Sequence, residues 1–380
     1  MTHLKAAGLS WRRLALVLTA TILILALRQP DKLLFPQFWA EDAPIFYAEA
    51  ARSGVGSLAR PYNGYFHAYP RLVSVVGTVT PIFYIPALYV LGALAAALAA
   101  MAAVVTGGIT ARPWTQAGLV VGALLTPYSG EVWLVLTNVQ WVLGALLVAV
   151  LASRRPGTRG AQILFAAAAA TIAVTGPFSL LLWPIAALRM WHWRDRWSAV
   201  LLALVASGAA VSAYALSQHP RTDEVLGFSE RLLTLVHIAA ARPRLALAAL
   251  AACLLLMWAF VTGLRRADWP LVACASCGLL VGLGTVAGLP AVQLLGLPGR
   301  YMFVPWICTA WSLLLLLERG HRAALAPLVV MLALAASHFS IAAEKRHDWR
   351  SDARCLETRA FCNVVVNPGW PVGLPGRGTE

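Results

Sequence analysis

The segment Leu245–Leu264 reads LALAALAACLLLMWAFVTGL, twenty residues without a charged side chain. About 20 mostly apolar residues are enough for a helix to cross the hydrocarbon core of a membrane. Ala323–Ile341 is a second long apolar block. Hydrophobic residues make up 60% of the 380 residues and charged residues 12%, against roughly 25% charged in a soluble domain. We therefore predict an all-α, polytopic membrane bundle and exclude a soluble enzyme and an outer-membrane barrel, whose strands alternate apolar and polar residues.

We count eleven apolar segments as transmembrane helices, and four of these segments are short. A further segment, Arg71–Pro81, is too short to span and is predicted to lie at the membrane interface as an amphipathic helix. The predicted membrane helices are Leu14–Leu27, Ile85–Val105, Gln116–Leu125, Val139–Ala152, Gln162–Thr175, Phe178–Met190, Trp197–Ser217, Arg244–Leu264, Leu271–Gly288, Met302–Leu317 and Ala323–Ile341.

The distribution of charge predicts the orientation. The net charge of +14 would suggest a nucleic-acid partner in a soluble chain. In a membrane protein the first expectation is that Lys and Arg collect in cytoplasmic loops. With the N-terminus inside, the inside loops hold 14 basic and 3 acidic residues, and the outside segments hold 16 basic and 13 acidic residues. We therefore predict a bacterial inner-membrane protein with its N-terminus inside, its C-terminus outside, and no nucleic-acid partner.

The polar residues that suit chemistry lie in the outside segments, so we expect the active face to be extracytoplasmic. The first outer loop, residues 28–84, contains FWAEDAPIFYAEA from Phe38 and PYNGYFHAYPRL from Pro61. Residues 1–341 form the predicted transmembrane domain, and residues 342–380 form a short outer tail expected to pack over the outer face. Chains this short do not usually make an independent domain.

Glu41 and Asp42 are the candidate catalytic acids. Carboxylates among aromatic side chains at a membrane surface have a raised pKa, because burial disfavours the charged form, and a raised pKa suits a general base. The alternative is structural: Asp42 caps a helix over Pro44–Ala51, with Pro44 in its first turn.

An acidic pair directly after the first helix, followed by an aromatic amphipathic segment, resembles the glycosyltransferase C superfamily. The matching residues are Trp39-Ala40-Glu41-Asp42 and Tyr47-Ala48-Glu49-Ala50, then Tyr65, His67, Pro70 and Arg71. The resemblance covers the first loop and the layout of the first seven helices. It implies an enzyme that takes a sugar from a polyprenyl-phosphate donor, with Asp42 or Glu41 as the base. The chain departs from many members in lacking a large soluble C-terminal domain, which bears on the acceptor.

A phosphate leaving group calls for a cation, and Arg binds phosphate through its bidentate fork. Arg71, Arg300 and His67 are the candidates for the donor phosphate. The alternatives are snorkelling to the interface for Arg71, a helix-end charge for Arg300 and an ordinary hydrogen-bonded ring for His67.

Sugar hydroxyl groups need both hydrogen-bond donors and acceptors, and amide side chains beside an aromatic face supply them. The candidates for the sugar or the acceptor are Tyr65, Glu131, Asn138, Gln140, Trp141 and Tyr301. For Asn138 and Trp141 the alternative is a helix cap and an aromatic belt at the interface.

We predict no cofactor and no resident metal, because no metal-ligand spacing occurs; a divalent cation at the acidic pair is the alternative. Cys355 and Cys362 lie in the outer tail, where an oxidising compartment favours a disulfide. Cys274-x-x-Cys277 falls inside a membrane helix and is interpreted as packing.

The sequence therefore favours a membrane glycosyltransferase that acts on a polyprenyl-phosphate-linked sugar and an extracytoplasmic glycan or lipid acceptor. One alternative is a transporter or flippase of a lipid-linked glycan, which predicts inverted repeats and broken helices near the midplane. The other is a non-catalytic protein of envelope assembly, in which the loop acids are replaceable.

Overall fold

The computed structural model describes residues 11–219, 243–288 and 299–378, with the isolated positions 230, 237 and 240. Lys5, one of the predicted inside charges, lies outside the described residues. The described helices are α1 Trp11–Arg28, α2 Pro30–Leu34, α3 Ala48–Ser53, α4 Ala68–Thr78, α5 Ile85–Thr106, α6 Pro113–Leu124, α7 Val139–Ala152, α8 Arg159–Ala173, α9 Phe178–Trp193, α10 Arg196–Gln218, α11 Pro243–Arg266, α12 Trp269–Gly288, α13 Gly299–Glu318, α14 Leu325–Ser337 and α15 Trp349–Thr358. Two strands follow, β1 Phe361–Val366 and β2 Trp370–Pro375.

The structure confirms that the protein is mostly helical, and its apolar helices are compatible with a membrane protein. Each of the eleven predicted apolar segments coincides with one helix to within a few residues, and α7 has the predicted bounds. Five helical segments of the described chain are long and apolar enough to cross a membrane. They are Ile82–Thr106, Arg196–Gln218, Ala246–Arg266, Trp269–Ala287 and Gly299–Glu318. The remaining apolar helices are shorter, so eleven crossings remain a prediction.

Helix α7 is the centre of the bundle. Every residue from Trp141 to Ala152 is buried, so the helix is apolar and enclosed on all sides. Helices α5, α8, α9, α12 and α13 pack around it. Helix α11 lies at the periphery and exposes Leu247, Leu250 and Leu254, as expected of a helix facing lipid.

The loops gather at two ends of the bundle, grouped as the charge pattern predicts. We call one end the tail side; it comprises residues 29–84, 125–138, 174–177 and 338–378. There Lys32 Nζ donates to Gly130 O (2.8 Å), and Gly176 N donates to Phe66 O (2.8 Å). The opposite side comprises residues 107–112, 153–158, 194–195, 267–268 and 319–324. Which end faces the outside remains a prediction.

Helix α4 reverses the polarity of an ordinary surface helix. Its inner face buries Arg71 and Ser74, whereas Leu72 and Val76 on its outer face are exposed, as is Val79 just beyond its end. An apolar face turned outward is what a helix at the membrane interface requires, since lipid rather than water covers it. The structure thus has the amphipathic pattern predicted for Arg71–Pro81.

The tail corrects the all-α prediction. Strands β1 and β2 form an antiparallel hairpin, with Phe361 opposite Pro375 and Val366 opposite Trp370. Cys355 and Cys362 form a disulfide that joins α15 to the hairpin. The tail packs on the first loop, where Ala40 N donates to Asn367 O (2.6 Å).

Candidate functional site

An open cleft lies on the tail side of the bundle; its empty space, including the solvent at its mouth, is about 1010 Å³. Its wall is formed by the first loop, the residues before and within the first turn of α7, the start of α9, the last turns of α12 and the first turn of α13. Eight of the predicted site residues line it: Glu41, Tyr65, His67, Asn138, Gln140, Trp141, Arg300 and Tyr301. Asp42, Arg71 and Glu131 do not.

The two acids of the first loop point to different places. Residues Ala40–Asp42 form a 3₁₀ turn, and Ala40 has a φ of +39°, so the chain changes direction just before the two carboxylates. Glu41 lines the cleft. Asp42 is buried and accepts hydrogen bonds from Thr137 N (2.8 Å) and Trp39 N (3.1 Å). The two acids are neighbours in the sequence, but one lines the cleft and the other is buried.

Asp42 is not the cap of a helix over Pro44–Ala51, so that alternative is wrong. Its side chain makes no hydrogen bond to the segment that follows, Ala43–Tyr47, which is a π-helical turn leading into α3. The carboxylate instead fixes the first loop to the backbone before α7. Burial raises the pKa of Asp42 to about 7, and the hydrogen bonds from Thr137 and Trp39 oppose that rise.

Glu41 is the acid available to a ligand. The Tyr62 hydroxyl lies 3.5 Å from its Oε1, which is the outer limit of a hydrogen bond. No basic side chain of the described residues lies within 4 Å of the Glu41 carboxylate. A carboxylate with this geometry can accept a proton from a group bound in the cleft.

Three aromatic rings form one wall of the cleft. The ring centroids of Phe46, Tyr62 and His67 lie 5.6–6.1 Å from one another. His67 Nδ1 donates to Tyr65 O (3.1 Å), and burial lowers the pKa of His67 to about 4. The neutral ring then offers only an acceptor at Nε2, next to Gln140. This arrangement argues against the predicted role of His67 in binding phosphate.

Arg71 lies behind this wall rather than in it. Its guanidinium is fully buried, donates to Glu49 Oε2 (2.7 Å) and lies 5.5 Å from the centroid of the Phe46 ring. Its Nε and Nη2 atoms make no hydrogen bond within the described part of the chain. The structure therefore gives Arg71 an internal ion pair and places Phe46 near it at the cleft wall.

Arg300 and Glu131 form an ion pair at the cleft, with Nη1 and Oε2 2.5 Å apart. Arg300 also lies over the ring of Tyr301 at 5.2 Å. Because Glu131 is paired with a cation, the structure argues against an independent role of Glu131 in binding sugar. Arg300 keeps other N–H groups, because a guanidinium carries five donors.

The amide and aromatic side chains predicted to bind sugar do come together. Asn138 donates to Glu131 O (2.8 Å), and Trp141 stands edge-on to Tyr301 at 5.1 Å and to Phe178 at 5.4 Å. The contacts of Asn138 and Trp141 lie within the protein, so a helix cap or interface belt alone does not describe them. The cleft thus combines one carboxylate, one paired guanidinium, amides, hydroxyls and aromatic faces.

Gly176 allows the close approach that shapes the cleft floor. It has a φ of +76°, and a Cβ there would fall 2.5 Å from Gln140 Oε1. Gly176 was not predicted as part of the site. Six cleft residues that have no motif of their own were also not predicted: Phe46, Tyr62, Asn63, Thr137, Phe178 and Thr285. Their aromatic, amide and hydroxyl chemistry is the signal, and only the fold shows that they meet.

The described residues contain no group of three or more His, Cys, Asp or Glu side chains placed to hold a metal ion. Comparison of the chain with protein-family models, with curated proteins and with solved structures gives no match.

Proposed function

We propose that this protein is a membrane glycosyltransferase that moves a sugar from a polyprenyl-phosphate donor to a glycan or lipid acceptor outside the bacterial inner membrane. The observation that supports it best is the cleft itself. One opening contains Glu41, an acid that has no basic partner among the described residues, together with the guanidinium of Arg300 and the hydroxyl, amide and aromatic groups that suit a sugar.

The position of the cleft also suits a substrate that is partly lipid. Leu180 and Leu181 from α9 and Val281 from α12 line the same cleft as Glu41. Helix α12 contains one of the five membrane-length segments. A lipid-linked sugar needs a polar site for its sugar and phosphate, next to an apolar site for its chain.

The chemistry assigns separate roles to the two acids. An acceptor hydroxyl attacks the anomeric carbon, and the bond from that carbon to the phosphate oxygen breaks, with the electron pair leaving on the phosphate. Glu41 takes the hydroxyl proton, and Arg300 offsets the charge that grows on the phosphate. Asp42 is then a positioning residue that holds the first loop against Thr137.

The test is transfer of radiolabelled sugar from a polyprenyl-phosphate donor pool by membranes that contain each variant. Glu41→Gln keeps the shape of the side chain and removes the base, so we expect transfer to fall by about 100-fold or more. Glu357→Gln, an exposed acid of α15, is the matched control and should transfer at the wild-type rate.

Equal transfer by Glu41→Gln and wild type would contradict the assignment of the base. If wild-type protein transfers no label but moves the lipid-linked sugar between leaflets of a proteoliposome, the transporter alternative replaces the enzyme. If it does neither and the acids are replaceable, the protein is a non-catalytic component.

A further inference from the structure

Three loops of the opposite side each contribute two arginines to one region of the surface. The pairs are Arg154 and Arg155 after α7, Arg194 and Arg196 around the start of α10, and Arg265 and Arg266 at the end of α11. All six side chains are exposed. We call this set the arginine rim.

Hydrogen bonds draw the three loops together at the C-terminal end of α7. Arg189 of α9 donates from Nη1 to Leu151 O (2.7 Å) and to Ser153 O (2.5 Å). Trp269 of α12 donates from Nε1 to the same Leu151 O (2.8 Å), and its ring stacks on His192 at 5.4 Å. Each anchor lies within a few residues of an arginine pair, so the pairs surround one point.

The acids of this side do not neutralise the rim. Asp195 accepts from Ser198 N (2.7 Å) as the cap of α10, and Asp268 pairs with Arg319. Glu318 accepts from Thr110 Oγ1 (2.7 Å) and lies near Arg319 (3.4 Å). In the described residues no rim arginine has a carboxylate within 4 Å.

We propose that the arginine rim binds the phosphate groups of anionic phospholipids in the adjacent leaflet. Arginine forks match phosphate oxygens in a bidentate way that lysine does not reproduce. The rim lies at the ends of membrane helices, and Trp191, 72% exposed, sits beside it under the Arg194 guanidinium (5.3 Å). Exposed tryptophan next to arginine is the arrangement found at the lipid headgroup level. The ligand is therefore the headgroup rather than free phosphate.

The experiment is a native mass-spectrometry titration of the full-length protein in detergent. The probes are phosphatidylglycerol, phosphatidylcholine as the lipid without net charge, and inorganic phosphate. We expect phosphatidylglycerol to bind at least about tenfold more tightly than phosphatidylcholine, and inorganic phosphate not to compete. Replacing two arginines, Arg154→Gln with Arg155→Gln, should weaken phosphatidylglycerol binding about 30-fold, since each basic residue near a membrane surface contributes about 1 kcal/mol.

Two matched variants separate a phosphate site from charge alone. Arg154→Lys with Arg155→Lys keeps the charge and should bind with intermediate affinity, because the fork is lost. Arg350→Gln with Arg354→Gln removes two exposed arginines of the tail side and should leave lipid binding unchanged. Wild-type affinity in the lysine variant, or no loss of lipid affinity in Arg154→Gln with Arg155→Gln, overturns the proposal. If Arg154→Gln with Arg155→Gln does not fold, Arg265→Gln with Arg266→Gln applies the same test.

Discussion

The arginines around the cleft on the tail side differ in their surroundings from those of the arginine rim on the opposite side. On the tail side, Arg28 and Arg71 are fully buried, and Arg300 is paired at the cleft. Arg28 donates to Thr126 O (3.0 Å) and Phe339 O (3.1 Å), and so ties the end of α1 to the segments that follow α6 and α14. On the opposite side, the arginine rim is exposed.

The acidic residues of the two sides also differ in whether their carboxylates are engaged within the protein. The three acids of the opposite side hold structure together through a cap or an ion pair. On the tail side, Glu49 and Glu131 are paired and Asp42 is buried, yet Glu41 stays available in the cleft. Paired or buried charges therefore surround Glu41 on the tail side, whereas the arginine rim leaves exposed cations on the opposite side.

The largest effect is expected from Arg71, which is fully buried and forms an ion pair with the partly buried Glu49. Arg71→Met removes one partner of a desolvated ion pair and should lower the free energy of unfolding by about 3–5 kcal/mol. Arg154→Gln, at an exposed arginine of the opposite side, should change it by less than about 0.5 kcal/mol. Denaturation in a mixed detergent titration measures both. The double variant Arg71→Met with Glu49→Gln should recover most of the free energy of unfolding that Arg71→Met loses. Similar losses of stability in Arg71→Met and Arg154→Gln would contradict the contrast between the two sides.

The next effect is a pH dependence that belongs to Asp42. Its pKa is raised by burial to about 7 in the folded protein, from an ordinary value of 3.8. Between these values the folded state binds the proton more than the unfolded state, so stability falls as pH rises from about 4 to about 7 and then levels off. The whole step amounts to about 4 kcal/mol.

Asp42→Asn should remove that step, so the difference in unfolding free energy between wild type and variant should change across pH 4–8. Glu357→Gln, at an exposed acid, is the control and should leave the wild-type profile unchanged. A wild-type profile with the same slope as the Asn variant would mean that Asp42 titrates at its ordinary pKa.

The positions of the helices could be predicted because long apolar runs in the sequence indicate where membrane helices lie. Val139–Ala152 is an example: thirteen of its fourteen residues are apolar, and its bounds follow from the polar residues at each end. The tail hairpin also had a signal, since Asn367-Pro368-Gly369 separates a Val-rich run from Trp370 and is typical of a turn between strands. No hairpin was predicted from this stretch.

The division between Glu41 and Asp42 could not be predicted. It depends on a 3₁₀ turn followed by a π-helical turn, and neither has a sequence period that assigns faces to neighbouring residues. The ion pair of Arg300 with Glu131 joins residues 169 positions apart, and each alone is an ordinary charged residue at a helix end or in a loop. Contacts of this kind follow from the packing of helices, which composition does not specify.

The smallest effect concerns how firmly the tail holds the first loop. Arg377 Nη2 donates to Thr78 O (2.7 Å) and Thr80 O (2.8 Å) and lies 3.2 Å from Gly77 O, so it covers carbonyl groups at the end of α4. Because the side chain is exposed, Arg377→Ala should cost only about 1 kcal/mol. Hydrogen exchange should then rise at residues 76–84 and in the hairpin, while the helices of the opposite side stay protected. Arg350→Ala, at an exposed arginine of α15, should leave both patterns unchanged. A rise at α7 as well would mean that the tail stabilises the whole bundle, and the two sides would no longer be independent.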